Sequence, residues 1–366
     1  MGLNEQPMWA GAQHRNSFDL IRLAAAFFVF MGHQLTLTGR VEPSVFAGRI
    51  ALSSLGLYIF FALSGYLIAR SLMRDSHPLR FSVSRALRIY PAYIVNLALV
   101  LLASAMISSL PWQEFFVHDQ TIRFIQFNTL IFTPPTQFSL PGVFTDTIWP
   151  VVNGSIWTIK YELLCYLILY SLHLFTPRSF QWKYVLGACL LATAVYHWDY
   201  LRTRPLPSAD MFFAKYNAFN TSRFLLTFLA GALYAACEPL SERARLVMFA
   251  GLAALVAFAP TADTTKVFVL LTLTIIVVEL GRSTMLYSSW YSQRGDYSYG
   301  FFLYSYPIQN AMWTYFGDTL GFYLTTLISL FLISTCAAIS WHLIELPFLN
   351  LKPRRSNLAM DRETQG

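Results

Sequence analysis

The sequence predicts an all-α, polytopic membrane protein, a bundle of about ten transmembrane helices. Three features of composition predict it: 55% of the 366 residues are hydrophobic, only 12% are charged, and the mean hydropathy is +0.47. A soluble domain carries roughly 25% charged residues, so this chain has too few to cover a water-facing surface. The composition therefore excludes a disordered chain and an ordinary cytosolic enzyme.

Long apolar runs give the individual helices, because a bilayer core of roughly 30 Å needs about 20 apolar residues per crossing. Helices are predicted near residues 18–37, 50–69, 91–110, 156–175, 183–198, 222–238, 246–260, 266–281, 298–316 and 321–344. The first run shows no small-residue cleavage site, so it is interpreted as a retained helix and not as a signal peptide. The sequence thus predicts an integral membrane domain over 18–348, between tails at 1–17 and 349–366.

The distribution of lysine and arginine predicts the orientation of the helices. With a cytoplasmic N-terminus, the inner segments hold about twice as many basic residues as the outer ones. Both termini are therefore predicted to be cytoplasmic. The net charge of +7 lies in short clusters between apolar runs, which is the pattern of a membrane protein, so the lipid bilayer is the expected partner and nucleic acid is not.

Two longer outer segments are predicted, at 111–155 and 199–221. The first is rich in aromatic residues and proline, so we expect it to fold against the membrane, as ordered long loops with a function often do. Its aromatic rings suit sugar rings, or they form an interfacial aromatic belt.

The first helix carries charged and titratable side chains that are costly in lipid, at about 2.5–3.5 kcal/mol for each charge. Arg22 and His33 are eleven residues apart, so they share one helix face and lie roughly 16 Å apart along its axis. Asp19 precedes Arg22 by three residues and can pair with it. A neutral imidazole at His33 is suited to deprotonating a hydroxyl, or it is a satisfied core histidine.

The fourth helix carries Glu162. Counting from the ends of the two predicted helices places Glu162 and His33 at comparable depth, where a carboxylate could orient or stabilise the imidazole. In the alternative interpretation, Glu162 pairs with Lys160 or with a neighbouring tyrosine for structural reasons.

The predicted inner loop between the second and third helices holds five arginines and no lysine over residues 70–90. Arg85 and Arg88 are three residues apart and would present two guanidinium groups together, which suits phosphate. A plain positive-inside loop is the alternative.

Together these motifs resemble the acyltransferase-3 family of integral membrane acyltransferases, which mostly O-acetylate extracytoplasmic carbohydrates in bacteria. The resemblance rests on Asp19, Arg22 and His33, the segment FALSGYLI at 61–68, RALRIYP at 85–91, GSIWTIKYE at 154–162, SYGFFLY at 298–304 and IELPF at 344–348. Many members have a histidine followed by a proline near the ninth helix. Ser305 stands at the position of that histidine here, so either the second histidine is not essential to this protein or another group takes its role.

The resemblance implies an enzyme of the bacterial inner membrane that takes an acyl group from acyl-CoA, with acetyl-CoA the expected donor and no metal. The acceptor would be a hydroxyl of an extracytoplasmic glycan. The implied catalytic residues are His33, as general base or transient acyl carrier, with Arg22 and Glu162, and the implied donor-binding residues are Arg85, Arg88, Ser64 and Gly65. A succinyl donor, a macrolide or lipid acceptor, and a glycan transporter or flippase remain the alternatives.

Overall fold

The fold is taken from a computed structural model that describes residues 16–130, 135–176, 181–203, 211–212 and 216–353. Most of the two predicted tails, 1–17 and 349–366, lies outside the described residues, as does part of the segment 199–221. The described chain is mostly helical. Its helices are α1 Phe18–Leu37, α2 Leu52–Arg74, α3 Pro78–Ile107, α4 Trp112–Val117, α5 Asp119–Thr129, α6 Ile159–Phe175, α7 Trp182–Thr203, α8 Ala218–Cys237, α9 Glu242–Ala257, α10 Ala262–Arg282, α11 Ser289–Ser292, α12 Ser298–Ser340 and α13 Leu346–Asn350.

Short elements complete the described chain. A 3₁₀ turn, Ile156–Thr158, precedes α6, and a π-helical turn, Trp341–Glu345, joins α12 to α13. Strands β1 (Ser44–Val45) and β2 (Ile50–Ala51) form one antiparallel pair, and β3 (Met211–Phe212) and β4 (Tyr216–Asn217) form another.

Every predicted apolar run lies mostly within a helix, and the last two runs share α12. Five helical segments of the described chain are long and apolar enough to cross a membrane: Phe18–Leu37, Leu52–Arg74, Pro78–Ile107, Ala262–Arg282 and Ser298–Asn350. The predicted class, a helical membrane protein, agrees with this arrangement.

The first two long helices pack antiparallel through small residues. Gly32 of α1 lies against Ser53 of α2, and Gly56 of α2 lies against the backbone of Ala25. We call the end of the bundle at Phe18, Arg74 and Pro78 the near end, and the end at Leu37, Leu52 and Ile107 the far end.

Helix α12 contains both of the last two predicted runs and reverses between them. Gly321 has φ +68° inside the helix, a conformation that disfavours any side chain. Gly300 lies against Ala337, so the second half of α12 runs back along the first and returns the chain to the near end.

The connection between α2 and α3 differs from the prediction. An arginine-rich loop over 70–90 was expected, but α2 continues to Arg74 and α3 begins at Pro78. Hydropathy detects the residues that reach hydrocarbon, whereas a helix continues as far as its backbone hydrogen bonds are made. Arg85 and Arg88 therefore lie on α3, and Pro91 lies inside that helix.

Part of the predicted outer segment enters the bundle without forming a helix. The Asn153 side chain is buried and donates to Asn96 Oδ1 at 2.9 Å and to the Leu303 carbonyl at 3.3 Å. The Asn310 side chain donates to the Val151 carbonyl at 2.8 Å. Irregular backbone is tolerated at membrane depth only if protein surrounds it and pairs its polar groups. These hydrogen bonds provide that pairing. Helix α6 therefore begins inside the bundle and not at its far end.

Candidate active site

A cavity of about 310 Å³ lies between α1, α2, α3, α6 and α12; we call it the near-end cavity. One face of α2 lines it at helical spacing with Leu57, Phe60, Phe61, Ser64, Leu67, Ser71 and Arg74. From Leu57 to Arg74 the helix rises about 25 Å. The cavity is therefore long and narrow, and it extends from the near end along most of α2.

Three cations line the near end of this cavity: Arg74, Arg85 and Lys352. Among the described residues, none of the three forms an ion pair, and the Arg85 Nε atom is buried without a hydrogen-bond partner. Burial, together with the charges of Arg85, Arg88 and Arg22, lowers the pKa of Lys352 to about 8. This end of the cavity is thus strongly positive and suited to an anion.

Arg22 and Arg88 also line the cavity, but each of them already forms an ion pair with a carboxylate. Arg22 lies 2.9 Å and Arg88 2.5 Å from Asp296 Oδ2, and Arg88 lies 3.2 Å from Glu345 Oε2. Burial opposes the charge of Asp296, but the two arginines outweigh it and hold its pKa below the usual value.

This ion network changes two interpretations of the sequence. The structure pairs Arg22 with Asp296 and not with Asp19, because the turn before α12 brings Asp296 against α1 and α3. Arg85 and Arg88 do not act as a matched pair, since the charge of Arg88 is shared with two carboxylates and that of Arg85 is not.

Glu162 lies in the cavity wall. It accepts a hydrogen bond from Ser64 Oγ at 3.3 Å and another from the Tyr166 hydroxyl. Lys160 is not its partner: the ammonium lies 5.4 Å from the centre of the Tyr161 ring and 5.3 Å from that of Tyr216. The structure therefore brings together Arg22, Ser64, Arg85, Arg88 and Glu162 of the predicted set.

His33 lies beyond the far end of the cavity. Its ring packs edge-on against Tyr306 with the ring centres 5.1 Å apart, and its Nδ1 atom is buried without a hydrogen-bond partner among the described residues. The neighbouring Gly32 lies against Ser53. Ser53 is four residues from Leu57, so the cavity ends about 6 Å short of the His33 level.

The expectation that His33 and Glu162 share one depth is wrong. Glu162 contacts Ser64, which lies eleven residues, or about 16 Å, nearer the near end than Ser53. The reason is that the chain before α6 enters the bundle as irregular, non-helical backbone, so the first turn of α6 is already deep.

Two buried glutamines were not predicted from the sequence: Gln34, the next residue after His33, and its partner Gln309. Gln309 Nε2 donates to Gln34 Oε1 at 2.8 Å and to the Phe30 carbonyl at 2.9 Å. Gln34 Nε2 and Gln309 Oε1 are buried and lack partners within the described residues. The sequence contains a signal for them, because an uncharged amide inside an apolar run is unusual. Only charged and titratable residues were considered as candidates, so the two amides were missed.

Comparison with known proteins identifies the chain. The model of a family described as an acyltransferase domain matches residues 15–344. The chain belongs to the acyltransferase-3 family. Since the match covers nearly the whole chain, the long helices and the near-end cavity are those of an acyltransferase.

Two curated relatives support this assignment. The O-acetyl transferase of Shigella phage Sf6 is 27% identical over 348 residues, which are 91% of this chain and 96% of the relative. Nodulation protein 10 of Rhizobium leguminosarum bv. viciae is 33% identical over 190 residues, which are 50% of this chain and 49% of the relative. No solved structure matches the chain. The acyltransferase is accordingly an O-acyltransferase built from membrane helices.

Two positions of this acyltransferase differ from what the family resemblance implied. Gly65 is not among the residues lining the near-end cavity; it lies where α2 meets α8, and a Cβ there would collide with the Phe228 carbonyl. Gly65 thus permits close helix packing. Ser305, at the position of the family's second histidine, is buried and donates to the Phe301 carbonyl at 2.5 Å within its own helix.

Proposed function

We propose that this O-acyltransferase moves an acyl group, acetyl in the first instance, from cytoplasmic acyl-CoA to a hydroxyl of an extracytoplasmic glycan. The observation that carries the proposal is the near-end cavity. Three cations that form no ion pair with any described residue lie at one end, and His33 lies beyond the other.

The cavity matches the two parts of a CoA thioester. Its phosphates would bind at Arg74, Arg85 and Lys352, since ammonium and guanidinium groups are the usual phosphate ligands of proteins. The narrow arm would extend along the apolar wall that includes Leu57 and Phe302. A cavity about 25 Å long then delivers the thioester toward His33.

His33 would act on the acceptor in this scheme. Its imidazole takes the proton of the acceptor hydroxyl while the oxygen attacks the thioester carbonyl. The new C–O ester bond forms, the C–S bond breaks, and the proton passes to the departing CoA thiolate. Arg22 and Glu162, in the cavity wall, would position the polar part of the donor, with Ser64 holding the Glu162 carboxylate.

The membrane arrangement is part of the same proposal. The near end would be cytoplasmic, both termini would lie on that side, and the domain over 18–348 would cross the bacterial inner membrane ten times. The reversal at Gly321 and the excess of basic residues on the near side support this orientation.

Mass spectrometry of cell-surface glycans tests the proposal. The strains are a deletion and the same deletion carrying wild type, His33→Ala, or the exposed His77→Ala as control, at matched membrane levels. We expect wild type and His77→Ala to restore one acyl mass and His33→Ala to restore none. The mass identifies the acyl group, acetyl or succinyl, and the modified molecule identifies the acceptor. Full activity of His33→Ala would refute the role of that residue.

Acetyl-CoA binding to the purified protein separates the enzyme from a transporter. Since His33 lies beyond the cavity, His33→Ala should bind acetyl-CoA as wild type does, while Arg85→Gln should bind it about tenfold more weakly. A protein that binds no acyl-CoA would favour the transporter, and unchanged glycans with intact acetyl-CoA binding would direct attention to macrolide or lipid acceptors.

A further inference from the structure

A second cavity lies at the far end of the bundle, between α2, α7, α8 and α10. Its volume is about 190 Å³, and we call it the far-end cavity. Its lining includes three cations, Arg49, Arg223 and Lys266, and the buried His197. None of the lining residues is an aspartate or a glutamate. The cavity therefore concentrates positive charge in a confined space.

The described residues leave these cations without ionic partners. None of the three forms an ion pair there, and the Nε atoms of both Arg49 and Arg223 are buried without a hydrogen-bond acceptor. All three side chains are partly buried, and a charge withdrawn from water without a partner is destabilising. A bound anion would supply the missing acceptors.

The side chain of Arg223 is held in place by rings. Its guanidinium carbon lies 4.9 Å from the centre of the Phe219 ring and 4.6 Å from that of Phe224, and Nη1 lies 3.5 Å from the Tyr58 hydroxyl. A guanidinium fixed by aromatic contacts loses little conformational freedom when it binds a ligand. This favours a binding role over a mobile surface charge.

We propose that the far-end cavity binds an oxyanion, a carboxylate or a phosphate. The two guanidinium groups are suited to bidentate recognition of such an anion, and the ammonium group adds a third positive charge. The volume is below the roughly 300–1,000 Å³ of sites for drug-sized ligands. The cavity accordingly takes one acidic group or one acidic sugar residue of a larger molecule.

The position of the cavity links it to the acceptor. Ser54 and Tyr58 of α2 line it, while Ser53 of the same helix faces Gly32, the neighbour of His33. The oxyanion and His33 thus lie at one level, on two sides of α2. If His33 acts on the acceptor, as the proposed function has it, the oxyanion belongs to the acceptor. The inference therefore rests on the proposed function, and it makes the acceptor an acidic molecule.

Calorimetric titration of the purified full-length protein in phosphatidylcholine nanodiscs tests the inference. The probes are inorganic phosphate and glucuronate, with glucose as the neutral counterpart. We expect both anions to bind and glucose not to, and we expect Arg223→Gln to weaken anion binding at least about tenfold. Lys266→Gln provides a second variant in case the first does not fold. Arg202→Gln is the control, because Arg202 is exposed and pairs with Asp199 at 2.9 Å.

The outcomes decide both the site and the source of the anion. Absence of anion binding, or equal binding by wild type, Arg223→Gln and Lys266→Gln, would overturn the inference. The titration is repeated in nanodiscs that contain phosphatidylglycerol. Weaker anion binding there would identify a lipid headgroup as the source of the oxyanion, and unchanged binding would identify the acidic glycan. Acetyl-CoA binding is measured on the same samples, so failure at the far-end cavity and failure of the proposed donor site are distinguishable.

Discussion

Lys352 lies at the positive end of the near-end cavity, where its pKa is about 8. The ammonium is charged below that pH and loses its proton above it, so a bound phosphate loses one partner as the pH rises. We expect CoA affinity to fall about two- to fivefold between about pH 7 and about pH 9, in proportion to one ion pair of about 0.5–1 kcal/mol. Isothermal titration with CoA at the two pH values measures it.

The matched variant for this prediction is Lys352→Arg, which keeps its charge throughout this range. Its CoA affinity should change less with pH than that of wild type. An identical pH dependence in the variant would show that another group titrates.

At the same scale, the sequence predicted charges that lie within apolar runs or in a dense cluster, and it missed isolated charges elsewhere. Arg22 and Glu162 were predicted because a charge in lipid is costly, and Arg85 because it lies three residues from Arg88 in an arginine-rich segment. Asp296 and Lys352 lie between or beyond the runs, where charges are ordinary. The partner of Arg22 is 274 residues away in the chain, and no local pattern in the sequence indicates such a distance.

Among the helices, α12 depends on one glycine. Gly321 combines φ +68° with ψ 175°, and no atom lies within 4 Å of a Cβ built there. Gly321→Ala should therefore lower the free energy of unfolding by about 1–3 kcal/mol through backbone strain alone. Thermal unfolding in detergent, followed by the loss of monodisperse protein, measures the change.

Gly251 of α9 provides the control, because its substitution is not expected to lower the free energy of unfolding. It is exposed, it also has open space around its Cβ position, and its φ is not positive. Gly251→Ala should be neutral or stabilising by up to about 1 kcal/mol, because alanine favours the helix interior. Equal effects of the two substitutions would argue against strain at Gly321.

The helices differ in how well the sequence predicted them. The bounds of α1, Phe18–Leu37, are those predicted from its apolar run. Helix α3 begins thirteen residues before its run, because its first turns carry arginines that hydropathy excludes. The irregular chain before α6 could not be predicted, since it is stabilised by Asn96 and Leu303 from other helices.

Over the whole molecule, Asp296 joins segments that are far apart in the chain. Its carboxylate pairs with Arg22 of α1 and Arg88 of α3, and Arg88 also reaches Glu345. Asp296→Asn would leave two partly buried cations short of a counter-charge, so we expect a loss of about 3–5 kcal/mol in stability. The melting temperature in detergent should fall clearly.

The control for Asp296→Asn is Asp119→Asn, which removes an exposed carboxylate paired with Arg123 at 2.8 Å. Exposed pairs contribute about 0–1 kcal/mol, so this variant should melt close to wild type. Similar melting of both variants would mean that the Asp296 network does not hold the bundle together.

The Asp296 network also bears on how the protein is made. The ribosome releases Arg22 and Arg88 long before Asp296 and Glu345, and Asn153 long before its acceptor on Leu303. The first helices must therefore enter the bilayer with cations whose counter-charges have not yet been synthesised. The near-end cavity acquires its final walls, which include Ser298, Phe302 and Lys352, only when the C-terminal helices are in place.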